Sequence, residues 1–402
     1  MKHRFLFAIH YLELGGAEMS LLGLLNALDY RCCDVDLFVY SHRGELMSQV
    51  PPQVHLLPEI PEFAQIERPL KEVVRDGFFR IALARLCGKL RFARYARNKH
   101  PKDGSAVFAC VTHYVTPLLP PIAPEIEYDL ALSFLTPHDI VLKKVQAKRK
   151  AAWIHTDYSQ IDVYQALELP VWTSYDKIVS ISYDVTRAFL EVFPSLEHKI
   201  VEIPNVLSPE LVRDRAESIP YEEIAKEMPR EKGVINLLSV GRFSAAKNYD
   251  NVPDICRRIL KEGLSVRWYI IGYGGDEELI RRKIQESEME EYVILLGKKE
   301  NPYPYMKACD IYVQPSRFEG NAVTVREAQI LGKPVVVTEY PTAHSQVREG
   351  LDGIIVPMDN EGCVKGIAAL ISDQEKQILL SRFCLAHDFG NETEAEKLFS
   401  LI

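Results

Sequence analysis

A short apolar run, a glycine turn and a helix-period stretch follow one another at two places in this chain, and this repeat constrains the fold most. The first runs from Phe5 to Ile9, through a turn containing Gly15-Gly16-Ala17-Glu18, into an apolar helix reaching about Leu28. The second runs from Val234 to Val240 into Gly241-Arg242-Phe243-Ser244, with Lys247-Asn248 just beyond. A strand that turns on small residues into a helix opens a Rossmann-like unit, where a ligand can approach bare backbone. The turn can also be tight with no ligand. With 402 residues, and domains of about 100–200 residues each, two such α/β domains are expected. Met1 to Ile9 has the look of a leader peptide, but its apolar core is short and runs into Glu13 and Gly15-Gly16. It reads as the first strand.

Further strands read at Val35–Tyr40, Val107–Val111, Tyr128–Phe134, Lys150–Ile154, Lys177–Ser182 and Lys199–Asn205, with helices at Asp139–Gln146 and Val185–Phe193. Between residues 208 and 233 the chain is charged and carries Pro209, Pro220 and Pro229, so the inter-domain linker is placed there. The expected division is residues 1–207, then 208–380 with 208–233 as linker, then 381–402 as a helix.

Composition excludes several classes. No run approaches the ~18 apolar residues of a membrane span. The eight cysteines include no C-x-x-C pair, which points to neither a zinc site nor a disulfide framework and fits a reducing cytoplasm. A formal charge of −8 argues against nucleic acid as a partner. That charge is uneven: residues 68–102 hold eleven Lys or Arg against Glu72 and Asp76, a local +9. Phe79, Leu83, Leu86 and Leu90 fall at helical spacing within this segment. A basic amphipathic helix lies on an anionic membrane surface, or else packs on its own domain with a solvated basic face.

Glu319 and Glu327 mark the densest chemistry. Cys309–Gln314 reads as a strand, Ala322–Leu331 as a helix with Asn321 at its N-cap and Gly332 at its C-terminal cap, and Pro334–Thr338 as the next strand. Glu319 then stands just ahead of the helix, and Glu327 about 7.5 Å up its axis at 1.5 Å per residue. Free amides at residues 321–323 suit a phosphate, and carboxylates accept from sugar hydroxyls. Together they suit a nucleotide sugar.

The Glu319-Gly320 … Glu327-Ala328 pattern, in its strand–helix–Gly-Lys-Pro–strand setting, resembles the family-four glycosyltransferases of GT-B fold. That resemblance implies two Rossmann-like domains facing a central cleft, the second holding the donor, with a C-terminal helix crossing back to the first domain. It is close over residues 234–357 and faint over 41–127. It implies that Glu319 holds the transferred sugar, that Glu327 holds the ribose, and that Gly320, Asn321, Ala322 and Val323 line the donor. Arg242 and Lys247 would neutralise the diphosphate beside Gly241. Gly16 would lie on the donor side and Gly15 on the acceptor side. His155, at the end of a buried strand, would be the cleft histidine, and Asp157 would orient it or meet the acceptor. Asn205 resembles the residue with which the family closes its first domain.

The resemblance further implies a retaining hexosyltransferase of EC class 2.4, needing no cofactor and no metal. The donor is a nucleoside diphosphate sugar, UDP-sugar favoured. The acceptor is a glycan or lipid-linked glycan of bacterial surface polysaccharide, handled in the cytoplasm or at the inner face of the membrane. Asp34-Val35-Asp36 matches the D-x-D metal signature of another glycosyltransferase fold, but it opens a strand with no partner motif, so no metal is expected. The alternative is a non-catalytic nucleotide-sugar-binding subunit; the joint presence of Arg242, Lys247, Glu319, Glu327 and His155 argues against it. A nicotinamide-dependent oxidoreductase would need a G-x-G-x-x-G that this chain lacks.

Overall fold

The computed structural model describes residues 2–13, 15–99, 104–159, 161–320 and 322–402. Asn321 lies outside them. The chain forms two compact units, one of residues 1–206 with 391–402, the other of residues 207–390.

The first unit holds seven strands: β1 (His3–Ile9), β2 (Cys33–Val39), β3 (His55–Leu56), β4 (Tyr128–Ser133), β5 (Ala147–Ile154), β6 (Lys177–Ser180) and β7 (Ile200–Glu202). They lie in the order β3-β2-β1-β4-β5-β6-β7, and every pairing is parallel. The apolar runs read from sequence are the buried middle of this sheet: Phe5 to Ile9 are fully buried, with side chains feeding the cores on both faces. Such runs are typical of parallel strands covered on both sides. The second unit holds β8 (Ile235–Val240), β9 (Val266–Ile271), β10 (Val293–Gly297), β11 (Ile311–Gln314), β12 (Val335–Thr338) and β13 (Ile354–Val356), in the order β10-β9-β8-β11-β12-β13. In each sheet the order reverses beside the unit's first strand, the position at which open α/β sheets bind ligands.

Four expectations are corrected. Val107–Val111 is no strand but lies in a helix, Ala106–Val115, that buries Ala106, Cys110, Val111 and Val115. It packs on the Phe79–Lys99 helix at Gly88, where a Cβ would come within 2.5 Å of the Val111 Cα. That bare crossing outweighs the β-propensity of a short Val-Phe run. The proposed linker is also structured: Ser208 caps a helix over Pro209–Glu217, and a second spans Tyr221–Glu227. The Glu327 helix starts one residue later than expected, spanning Val323–Ile330 with Ala322 at its cap and no side-chain bond there; Asn321, the expected cap, lies outside the described residues.

The chain end differs as well. A helix over Gln374–Ala386 belongs to the second unit, and the chain rejoins the first from Asn391, through a 3-10 helix over Glu392–Leu401. Ala395, Leu398 and Leu401 enter the first unit's core, and the Phe399 ring lies 5.3 Å from that of Phe5. Asn205 ties this segment down: its carbonyl accepts from the Asn391 amide at 3.0 Å, while its side chain accepts from Ser20 at 2.8 Å.

The Asp34-Val35-Asp36 pair is taken up by the sheet. Asp36 is bonded by the Tyr128 hydroxyl at 2.6 Å and the His55 ring at 2.8 Å, and Asp34 pairs with Lys2. Among the described residues no group of three or more His, Cys, Asp or Glu is arranged to hold a metal.

Candidate functional site

In the second unit, the turns after β8 and β11 are laced together. The Ala246 carbonyl accepts from the Arg317 amide at 2.8 Å, and Asn248 donates to the Pro315 carbonyl at 2.9 Å. The Arg317 guanidinium bonds the Ala245 carbonyl at 2.6 Å and both carboxylate oxygens of Asp250. Asn248 takes a left-handed conformation, φ 61°, which asparagine adopts more readily than most residues. This lacing brings Lys247 to Glu319, Nζ to Oε1 2.7 Å. Gly241 has to be bare: a Cβ there would stand 2.8 Å from the Tyr249 hydroxyl and 3.1 Å from the Lys247 side chain. Arg242 stands exposed on the same turn.

Glu319 is only 8 % exposed, yet its Oε1 collects three donors: Lys247, Gln314 at 2.8 Å and Ser316 at 2.5 Å. Gln314 is itself set by the Tyr312 hydroxyl at 2.7 Å, and Thr342 donates to the Glu319 carbonyl at 3.0 Å. The orientation of this carboxylate is fixed from behind. Gly320, Ala322 and Val323 follow directly; in the first turn of the Val323–Ile330 helix the Val325 amide donates to the Ala322 carbonyl at 3.0 Å, while the amides of Val323 and Thr324 stand ahead of any i−4 carbonyl of the helix.

Glu327, inside that helix, is 3 % exposed. The Tyr303 hydroxyl donates to its Oε1 at 2.7 Å, and the Arg215 guanidinium lies 5.0 Å above the Tyr303 ring. Arg215 is held in turn by the Glu300 carbonyl at 3.1 Å, while Asn301 bonds the Arg215 carbonyl at 2.7 Å. Burial pushes the Glu327 carboxyl up to about 7, against the lowering effects of Tyr303 and Arg215. Arg215, and the bond from Tyr303 to Glu327, were missed by sequence reasoning. Ser208-Pro209, a capping serine before a proline at the first helical position, was the available signal for the helix that carries Arg215.

The other proposed residues lie in the first unit. Gly15 and Gly16 begin the Gly16–Ala27 helix. The space beside Gly15 is taken by the Glu18 carboxylate, 2.1 Å from where a Cβ would be, whereas Gly16 has nothing within 4 Å. His155, at the end of β5, stacks near Trp153 and packs its ring 4.5 Å from Phe134. Its Nε2 is buried and has no hydrogen-bond partner among the described residues, and burial drives its pKa down to about 3, so the ring is neutral. Asp157 accepts from the Ser159 amide at 2.7 Å, a turn contact, and among the described residues no bond joins it to His155.

This two-unit parallel α/β architecture is the GT-B fold. The crystal structure of Anabaena HepE in complex with UDP and glucose superposes with a TM-score of 0.67 at 15% identity, covering 98% of each chain. Residues 220–382, within the second unit, match the family described as Glycosyl transferases group 1. Among curated relatives, the amylovoran biosynthesis glycosyltransferase AmsK of Erwinia amylovora is 29% identical over 145 residues, 34% of this chain and 35% of that one. The N-acetylgalactosamine-N,N'-diacetylbacillosaminyl-diphospho-undecaprenol 4-alpha-N-acetylgalactosaminyltransferase of Campylobacter jejuni is 29% identical over 141 residues, 35% of this chain and 38% of that one. The chain thus spans little more than a third of these relatives' own length.

Proposed function

We propose that this protein is a glycosyltransferase of EC class 2.4, moving a sugar from a nucleoside diphosphate sugar to a hydroxyl of a glycan or lipid-linked glycan. The observation that carries this reading is Glu319: a buried carboxylate held by Lys247, Gln314 and Ser316, beside the free amides of a helix start. A carboxylate fixed in this way orients sugar hydroxyls. A lysine and amides next to it serve a diphosphate, which gains charge as it leaves. Glu327 takes the ribose. Arg242 and Lys247 meet the diphosphate, so the reaction runs without metal. In the first unit, His155 and Gly16 are the proposed donor-side contacts, with Gly15 and Asp157 on the acceptor side.

Retention at the anomeric carbon is part of the proposal. Oε1 of Glu319 is already bonded by three donors, which makes it a poor nucleophile. The sugar's bond to the diphosphate oxygen breaks and a bond to the acceptor oxygen forms on the same face. The acceptor's proton passes to the leaving phosphate.

UDP is the favoured base carrier, supported by the UDP held in the HepE structure. Bacterial surface polysaccharide is the favoured setting; the diphospho-undecaprenol in the Campylobacter relative's name supports a lipid-linked acceptor, and amylovoran biosynthesis in the Erwinia relative's name supports a biosynthetic role. The protein then works in the cytoplasm, at the inner face of the membrane. No helix among the described residues is long and apolar enough to cross one. Instead, Phe79, Leu83, Leu86 and Leu90 form an exposed stripe along one helix, each at least 46 % exposed, with Arg80, Lys89, Arg94 and Arg97 on the same helix. Such a face suits peripheral contact with an anionic bilayer.

The test is a thermal-shift panel of UDP, GDP, ADP and CDP without added metal, followed by turnover with the corresponding sugars. One diphosphate series is expected to raise Tm, since a ligand bound to the native state stabilises it. Glu319→Gln is expected to keep the fold and lose at least tenfold in turnover. Wild-type turnover in that variant sinks the assignment.

A further inference from the structure

The first unit contains a pocket, open to solvent on one side, that none of the assigned residues line. Water centres have about 50 Å³ to move in there, several times the roughly 10–15 Å³ that one water needs. Its walls come from the Ala106–Val115 helix, the segment after β4 and the Gln165–Ser174 helix. The lining that matters is polar and mixed in sign: Thr112, His113, Asp139, Lys143 and Glu168 over a floor of His138.

Three observations make this a built site. Asp139 is 95 % buried (5 % exposed), and its Oδ1 has no hydrogen-bond partner among the described residues, although Oδ2 accepts from Thr116 and Lys143. Glu168 faces the same space from the opposite wall; burial holds its carboxyl up at about 7 despite the Tyr164 amide bonded to it. His138 and Trp172, both lining residues, form an aromatic pair with ring centroids 4.5 Å apart.

The charges select the ligand class. Two carboxyls in one small cavity oppose a phosphate. Burial, then Arg91 and Lys143, push His113 toward its neutral form, and Lys143 in the lining opposes a cation. A neutral ligand rich in hydroxyls satisfies both sets, donating to the carboxyls and accepting from Lys143 and His113. The position also fits. The segment that forms the floor carries Phe134, against which His155 packs, and its Thr136 carbonyl is bonded by the His10 ring. The cavity therefore adjoins the acceptor-side end of this sheet. We infer that this cavity is a subsite for one sugar ring of the acceptor glycan, with Glu168, Asp139 and Lys143 as its polar contacts. Its assignment to the acceptor rests on the glycosyltransferase reading; the binding itself does not.

The experiment is saturation-transfer NMR on the full chain with methyl glycosides of glucose, galactose, N-acetylglucosamine and N-acetylgalactosamine. Wild-type protein is expected to transfer saturation to at least one. Ala109→Phe, which fills the cavity, is expected to abolish the signal, and Glu168→Gln to weaken the titration at least fivefold. Circular dichroism checks each fold, and should Ala109→Phe fail to fold, Glu168→Gln alone decides. No transfer to any glycoside, or unchanged titrations in the folded variants, overturns the inference. The diphosphate panel is run in parallel: a lost diphosphate shift with an intact, Glu168-dependent glycoside signal would sink the donor reading and leave the cavity standing.

Discussion

At the scale of single residues, Glu327 carries the clearest consequence. Its carboxyl is buried against Tyr303 and sits near 7 in the folded chain, against 4.5 for a free glutamate. A group raised on folding binds its proton more tightly in the native state. Its stabilising effect is therefore complete below about 4.5 and is lost as pH rises toward 7, at about 1.4 kcal/mol per pH unit. Denaturant midpoints of wild type and Glu327→Gln are expected to diverge across that window, wild type falling relative to the variant as pH rises. Parallel curves would show that Glu327 titrates as an ordinary carboxylate. The Glu319 and Glu327 pattern was legible because both sit in one continuous stretch between two strands. Arg215 and the bond from Tyr303 to Glu327 were not, since neither residue lies in a pattern pointing at Glu327, and only the packing of the Pro209–Glu217 helix brings Arg215 there. The Lys247–Glu319 contact likewise depends on two turns laced together across the sheet.

Among elements, glycines separate packing from ligand approach. A Cβ on Gly272, after β9, would lie 2.0 Å from the Gly241 carbonyl, where the ends of β8 and β9 nearly touch. Gly272→Ala is expected to cost about 1–3 kcal/mol through overpacking, seen as a lowered unfolding midpoint. Gly16→Ala meets nothing within 4 Å and replaces a helical glycine, so stability should hold or rise by about 0.5–1 kcal/mol; any loss of donor-sugar affinity in it then reports on the ligand alone. The Phe79–Lys99 helix makes a second prediction. Cosedimentation with phosphatidylglycerol vesicles at low salt is expected for wild type and lost in Leu83→Asp/Leu90→Asp, with Tm unchanged, because both side chains are over 60 % exposed. Its amphipathic spacing was readable, but which way the apolar stripe faced was not. Arg85 explains the choice: it turns inward to bond the Gln65 and Arg68 carbonyls, leaving the apolar row outside. The Val107–Val111 run was misread because five residues carry no decisive period, and the bare Gly88 crossing that settles it lies about twenty residues earlier.

For the whole molecule, the two-unit division was legible from the repeated strand–glycine–helix openings. The point of return was not, because residues 381–402 read as one charged helix. The break lies after Ala386, and it is Ala395, Leu398 and Leu401 that complete the first unit's core. Deleting residues 391–402 exposes the apolar surface they cover, at about 1.5–3 kcal/mol for each large side chain removed. Calorimetry is expected to show the first unit's transition lowered, with the second unit's still shifted by its diphosphate. A single transition moving as a whole would show that the units unfold together.

The same return has a consequence for how the protein is made. The strip that finishes the first unit follows all of the second unit in the chain, so on the ribosome the early half waits while residues 207–390 are polymerised. At about 5–20 residues per second that wait is roughly 10–40 s. During it, Phe5 and its neighbours stand uncovered at the place Phe399 will occupy. The nascent chain is thus exposed to chaperones or to misassociation at a surface the finished protein never shows.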